Sequence, residues 1–235
     1  MPAKSDSIMN FTYYGHACFG VEINGVHLLF DPFISPNPLA SSINIDTIKA
    51  DYILITHGHG DHIADAESIA RKNNSVLISN YEIVSWFNGK GITNGVGMNL
   101  GGWYTADAFR VKYVNAVHSS VLPDGSYGGN PGGFVIESME GNFYFAGDTA
   151  LTMDMQLIPL TCKTLDFAVL PIGNHFTMGY EDALVAAEWL RLERVVGVHY
   201  QTFPPITIDK AAACHYWESK GKELLLPEIG STINI

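Results

Sequence analysis

The sequence predicts an α/β fold in which two mixed β-sheets pack face to face with helices outside, and three observations carry that prediction. Strand-length apolar runs alternate with helical patterns along the chain, the alternation falls into two successive halves, and 47% of the 235 residues are hydrophobic, enough to bury a substantial core. One domain over residues 1–235 is expected, with the polar, mixed segment 1–8 flexible.

Residues 9–14, 20–23 and 26–31 read as short strands, and Asn24-Gly25 between two apolar runs is a hairpin signal because both residues tolerate positive φ. Asp51–Thr56 is an apolar stretch of strand length that leads into a histidine-rich loop and then a helical pattern from Asp61 to about Lys72. Val76–Ser79 reads as another strand, and a helix from Tyr81 to Asn88 stops at Gly89. Glycines are dense from Gly91 to Gly102. Trp103–Thr105, Phe109–Val117, Gly133–Ser138 and Asn142–Ala146 then have the period-two character of four strands, which predicts the second sheet. The turn-rich stretch Leu122–Gly132 reads as a surface loop, and its closeness to His118 makes it a candidate site rim. Residues 166–171 form a strand, Tyr180–Arg191 an amphipathic helix, Arg194–His199 a strand and Ile208–Lys220 a last helix.

The formal net charge of −11, from 24 acidic and 13 basic side chains, opposes a phosphate backbone, so no nucleic-acid partner is expected. No apolar run approaches the roughly 20 residues of a membrane-spanning helix. The first ten residues lack a secretory pattern, and a cytoplasmic location follows as the default. Cys18, Cys162 and Cys214 form no close pair, which predicts reduced structural thiols. The glycines match no phosphate-binding loop, and Ser119 and Ser120 beside His118 lack a nucleophile elbow. A small-molecule substrate is expected, and a homo-oligomer is left open.

The chemistry concentrates in His57-Gly58-His59-Gly60-Asp61-His62. His57 and His59 are two apart in a loop leaving a buried strand, so both imidazoles can face one ion; Asp61 and His62 can project from the first turn of the following helix toward a second. The ions of a two-metal site lie only about 3.5–4 Å apart, so one loop can serve both. Four ligands cannot complete two coordination spheres. The reading therefore calls for more His or Asp at strand ends, and His118, Asp148 and His199 each follow an apolar strand.

His-x-His-x-Asp-His, a later His, the turn Ala146-Gly-Asp-Thr149 and a final His together resemble the metallo-β-lactamase superfamily, over about Phe11 to Ile235. Gly15-His16-Ala17-Cys18-Phe19 and Leu29-Phe30-Asp31-Pro32 match its opening, and the detail is closest to small metal-dependent hydrolases related to the ascorbate-phosphate lactonases and the N-acyl-phosphatidylethanolamine phospholipase. The resemblance implies a four-layer αβ/βα sandwich. It also implies that His57, His59 and His118 bind one divalent ion, that Asp61, His62 and His199 bind the other, and that Asp148 bridges them. Asp31 would hold a histidine's free N–H. Zinc is the expected metal, with manganese or iron as alternatives.

Two such ions bring a water's pKa down toward about 7, which predicts hydrolysis of a small ester, lactone or phosphodiester. Asp61 and His199 are the candidate catalytic residues, Asp61 orienting the water or taking its proton. His16 is a candidate site residue that could equally end a turn, and His175, in a loop after an apolar strand, is a candidate substrate contact. His27 and His215 are expected to be structural or exposed, and Trp86 and Trp103 to belong to the core rather than to a substrate platform. Two rival functions are a di-iron oxidoreductase on the same fold, disfavoured by an imidazole at His59 where iron prefers a carboxylate, and a non-catalytic metal-binding protein.

Overall fold

The computed structural model describes residues 9–235, so the expectation for residues 1–8 lies outside the described residues. The first sheet is built from β1 (Asn10–Gly15), β2 (Cys18–Ile23), β3 (Val26–Phe30), β4 (Tyr52–Leu54), β5 (Val76–Asn80) and β6 (Gly95–Met98), with three helices, α1 (Gly60–Ile63), α2 (Ala66–Asn73) and α3 (Tyr81–Gly89), between its strands. β7 (Trp103–Thr105), β8 (Phe109–Asn115), β9 (Gly132–Ser138), β10 (Asn142–Phe145), β11 (Phe167–Pro171), β12 (Arg194–Val198) and β13 (Glu223–Leu225) form the second sheet. Its helices are α4 (Ile158–Thr161), α5 (Tyr180–Trp189) and α6 (Lys210–Glu218), after which β14 (Thr232–Asn234) returns to the first sheet. The strand orders are β14-β1-β2-β3-β4-β5-β6 and β13-β12-β11-β10-β9-β8-β7. Both sheets are mixed: antiparallel hairpins lead into parallel strands β3–β6 in one and β10–β13 in the other.

Aromatic side chains fill the space between the sheets. Phe11 stacks on Phe19 at 4.8 Å and Phe19 on Phe30 at 4.5 Å, while Phe145 of the facing sheet meets Phe19 edge-on at 4.9 Å. The central parallel strand β11 is buried along its whole length, which is why Phe167–Pro171 is an unbroken apolar run. On the outer faces, Ile69, Ala70, Ile83 and Phe87 of α2 and α3 cover the first sheet, and Ala183, Ala186, Ala187 and Trp217 of α5 and α6 cover the second. The result is the expected order of helices, sheet, sheet and helices. No helix among the described residues is long and apolar enough to cross a membrane.

Several expectations need correction. The helix expected over Asp61–Lys72 is two helices, because the Asp65 side chain accepts hydrogen bonds from Ile34 N (2.6 Å) and Ser35 N (2.9 Å), and its own N–H bonds Pro32 O at 3.0 Å instead of the preceding helical turn. Within the glycine-dense stretch, Gly95–Met98 is a strand. A Cβ at Gly95 would lie 2.8 Å from Val84 Cγ1, so this glycine marks close packing of α3 on the sheet rather than a loop. β13, β14 and α4 carry too few periodic residues to be seen in sequence. Trp103 is not core: it lies on an edge strand, 36% exposed, under the Arg110 guanidinium at 4.3 Å.

Candidate metal centre

The histidine-rich segment leaves β4, whose burial forces the chain to turn sharply at the sheet edge. His57 follows the strand, His59 is the last residue before α1, and Asp61 and His62 lie in that helix. From the second sheet, His118 follows β8, Asp148 follows β10 and His199 follows β12, three strands that run in the same direction. Gly147 allows the turn into Asp148: its φ is +63°, and a Cβ there would lie 2.8 Å from Thr56 Cβ.

These side chains meet in two adjoining groups. Ligand atoms of His57, His59 and His118 lie within 4.8 Å of one another, as do those of His16, Asp61, His62 and His199. His57 Nε2 is 2.9 Å from His59 Nδ1. Asp148 stands between the groups, its Oδ2 at 2.9 Å from His199 Nε2, 3.3 Å from His62 Nε2 and 3.6 Å from His118 Nε2. His16 Nε2 is 3.2 Å from Asp61 Oδ2.

A layer of hydrogen bonds fixes the rings from behind. Asp31, fully buried, accepts from Thr56 N (2.8 Å) and Thr56 Oγ1 (2.6 Å) and pairs with His62 Nδ1 at 2.8 Å, as expected for a carboxylate that orients a histidine. Thr56 Oγ1 also reaches His57 Nδ1 at 3.0 Å. Thr202 Oγ1 lies 2.9 Å from His16 Nδ1. Sequence reasoning points to neither threonine; Thr56 adjoins the motif, whereas Thr202 has no local signal at all.

Burial lowers the pKa of His57, with the nearby His62 charge adding to it, and burial likewise lowers His59 and His118. His16 falls to about 4, again mainly through burial. His62 behaves oppositely: burial opposes its charge, but Asp148 and Asp31 on either side together outweigh that and raise its pKa well above the ordinary value. Burial also disfavours ionisation of Asp148, yet His199 and His62 prevail and hold it ionised. The neutral imidazoles and the ionised Asp148 are in the protonation states that bind cations, and His62, charged between two carboxylates, would release its proton to do so.

The donor set fits such cations. Among the described residues, five buried side-chain polar atoms lack a hydrogen-bond partner, and three of them, His62 Nε2, His199 Nδ1 and Asp148 Oδ1, belong to this cluster. Unpaired polar atoms rarely gather in a core without a ligand.

A pH dependence follows for protein kept free of metal by a chelator. The four imidazoles with lowered pKa are neutral when folded but protonate near 6.5 when unfolded, so the unfolded chain binds more protons in between. The contribution of these four is therefore complete above pH 6.5 and lost as pH falls toward about 4, by about 3 kcal/mol from His16 alone, with Asp31, whose pKa burial raises, offsetting part of the loss. His62, whose pKa is raised, stays protonated throughout this window and does not oppose the trend. Urea midpoints measured from pH 7 to 4.5 should fall steadily; a flat profile would contradict this.

Of the residues expected at the site, His57, His59, Asp61, His62, His118, Asp148 and His199 converge, with Asp31 behind them and His16 inside the second group. His175 does not join. It is exposed at the turn between β11 and α5, ring to ring with Phe176 at 4.5 Å, while Met178 N of the same turn bonds Thr149 O beside Asp148. That puts it on the rim.

Comparisons with known proteins agree with this geometry. Residues 10–199 match the family described as Beta-lactamase superfamily domain. A UPF0173 metal-dependent hydrolase of Flavobacterium johnsoniae is 52% identical over 97% of this chain and all of its own length, and one from Thermus thermophilus is 44% identical over 90% of this chain and 92% of its own. Among solved structures, a metallo hydrolase from the hyperthermophilic archaeon Ignicoccus hospitalis superposes with a TM-score of 0.87 at 37% identity, covering 97% of this chain and 98% of that one. With the fold, the converging donors and these relatives in agreement, the chain belongs to the β-lactamase superfamily and, within it, to the UPF0173 metal-dependent hydrolases.

Proposed function

We propose that this hydrolase works with two divalent cations, His57, His59 and His118 holding one, Asp61, His62 and His199 the other, and Asp148 shared between them. The observation that carries the reading is the position of Asp148 Oδ2, within 2.9–3.6 Å of imidazoles from both groups. Zinc suits a set dominated by imidazoles, and manganese or iron could take its place according to supply. Bound there, the cations would bring a water's pKa toward about 7 and polarise the bond to be cleaved.

The protein's own groups do the rest. Asp148 and Asp31 are almost fully enclosed, whereas the Asp61 side chain is 29% exposed, so Asp61 is the cluster carboxylate that can meet incoming water, align it and take its proton. His199, tied to Asp148, sits where it can support the developing oxyanion.

The substrate we favour is an uncharged carboxylic ester or lactone. The segments framing the site, 56–65, 116–131, 146–152, 172–179 and 199–209, contain no Lys or Arg, so no side-chain cation in them would meet a phosphodiester anion. The same segments expose Val117, Val121, Tyr127 and Phe176. The test is metal analysis by plasma emission together with turnover of p-nitrophenyl esters, lactones and bis(p-nitrophenyl) phosphate. About two ions per chain, activity lost to a chelator and a preference for the uncharged substrates are expected. Retained metal with no turnover would favour a binding protein, and a preference for the phosphodiester would overturn the substrate assignment.

A further inference from the structure

We infer that His16 is itself a cation ligand, the fourth donor of the second group beside Asp61, His62 and His199. The inference rests on the two-cation reading above. His16 lies outside the histidine-rich segment by 41 positions, in the turn from β1 to β2, and only the fold brings it to the cluster.

Four observations support it. Its ring nitrogen, the Asp61 carboxylate and ring nitrogens of His62 and His199 lie within 4.8 Å of one another, and with the shared Asp148 they would give the second cation five donors against four for the first. Its rear nitrogen is held as in the other candidate ligands: Thr202 Oγ1 stands 2.9 Å from His16 Nδ1, just as Thr56 Oγ1 stands behind His57 and Asp31 behind His62. The Thr202 hydroxyl can donate a hydrogen bond to the Tyr200 carbonyl at 3.5 Å, so it can accept from the ring and leave Nε2 with a free lone pair. Thirdly, the ring has no exposed surface and is enclosed by Phe33 and Phe203, each at 5.4 Å between centroids, so substrate cannot reach it.

The backbone adds the fourth. His16 has φ +55° and His199 φ +56°, a conformation costly for side chains of this size, and the two are joined by the bond from His199 N to His16 O at 2.8 Å. The strain is spent on setting two imidazoles side by side, 4.2 Å between centroids. The second group then has one protein donor more than the first. The open place for water or substrate accordingly falls on the side of His57, His59 and His118.

The test compares full-length wild type, His16→Ala, Thr202→Val and, as a mirror control, His59→Ala, each loaded with zinc. Ions per chain are counted by plasma emission, affinities are measured against a chelating dye, and cobalt-substituted samples are read by their absorption spectra. Wild type should hold two ions. His16→Ala should lose about a hundredfold or more in affinity at one site and hold fewer than two ions at low free zinc, and the cobalt component that it weakens should be the one that His59→Ala keeps. Thr202→Val should keep both while its weaker site loses about tenfold or more in affinity. Two ions bound with wild-type affinities by His16→Ala overturn the inference. If that variant fails to fold by circular dichroism, Thr202→Val decides, and an unchanged affinity there overturns it. A wild type that binds no ion would fell the two-cation reading as well, which separates the two failures.

Discussion

Replacing Asp148 with Ala should lower kcat/KM by about 10⁴-fold or more and leave less than one ion per purified chain. The size follows from its position. Its Oδ2 alone contacts imidazoles of both groups, and it is one of two carboxylates that sustain the charge on buried His62. Removing it deletes a shared donor and half of the neighbouring negative charge together. Asn at this position should not rescue, since an amide keeps the shape but not the charge. The residue sits on a loop after a fully buried strand, so circular dichroism should remain that of the wild type. Two ions and measurable turnover in Asp148→Ala would contradict the assignment.

Asp61→Asn should separate chemistry from construction. We expect kcat to fall by about 10²–10⁴-fold, the range for a lost general base, with a smaller change in KM. In the metal-free protein the side chain carries no buried hydrogen-bond load beyond its contact with His16 at 3.2 Å, and an amide oxygen can preserve that contact, so thermal stability measured with a chelator present should change little. Burial would raise the Asp61 pKa, but the His16 contact and the nearby His62 outweigh it and push the pKa well below the usual carboxylate range. The carboxylate is thus ionised throughout the neutral range and available to accept a proton. An Asp61→Asn enzyme with full kcat would show that the proton goes elsewhere.

The sequence was informative where chemistry is local or repetition is strict. His57 to His62 lie within one loop and a helical turn, so their shared site is legible without a structure. His118, Asp148 and His199 could be found because each stands beyond an apolar strand. Thr202 could not, because its role depends on a ring 186 positions away. Similarly, the glycines of Gly95–Met98 look like loop residues until Val84 is seen packed against them. The short strand Thr232–Asn234 is fixed by its pairing with Asn10–Thr12 rather than by its own composition, so nothing in its residues announces it.

The donors come from both halves of the sandwich: the turn after β1 and the segment after β4 supply His16, His57, His59, Asp61 and His62, and the loops after β8, β10 and β12 supply His118, Asp148 and His199. Cations seated across that seam would clamp the two layers, adding to the aromatic contacts and to hydrogen bonds such as that from Tyr113 Oη to Thr56 O. A ligand at a thousand times its dissociation constant adds about 4 kcal/mol to the folded state, comparable with much of a domain's net stability. Loading would then govern how long the chain persists as well as how fast it works, because a less stable unloaded form opens more often and exposes its buried phenylalanines to proteases.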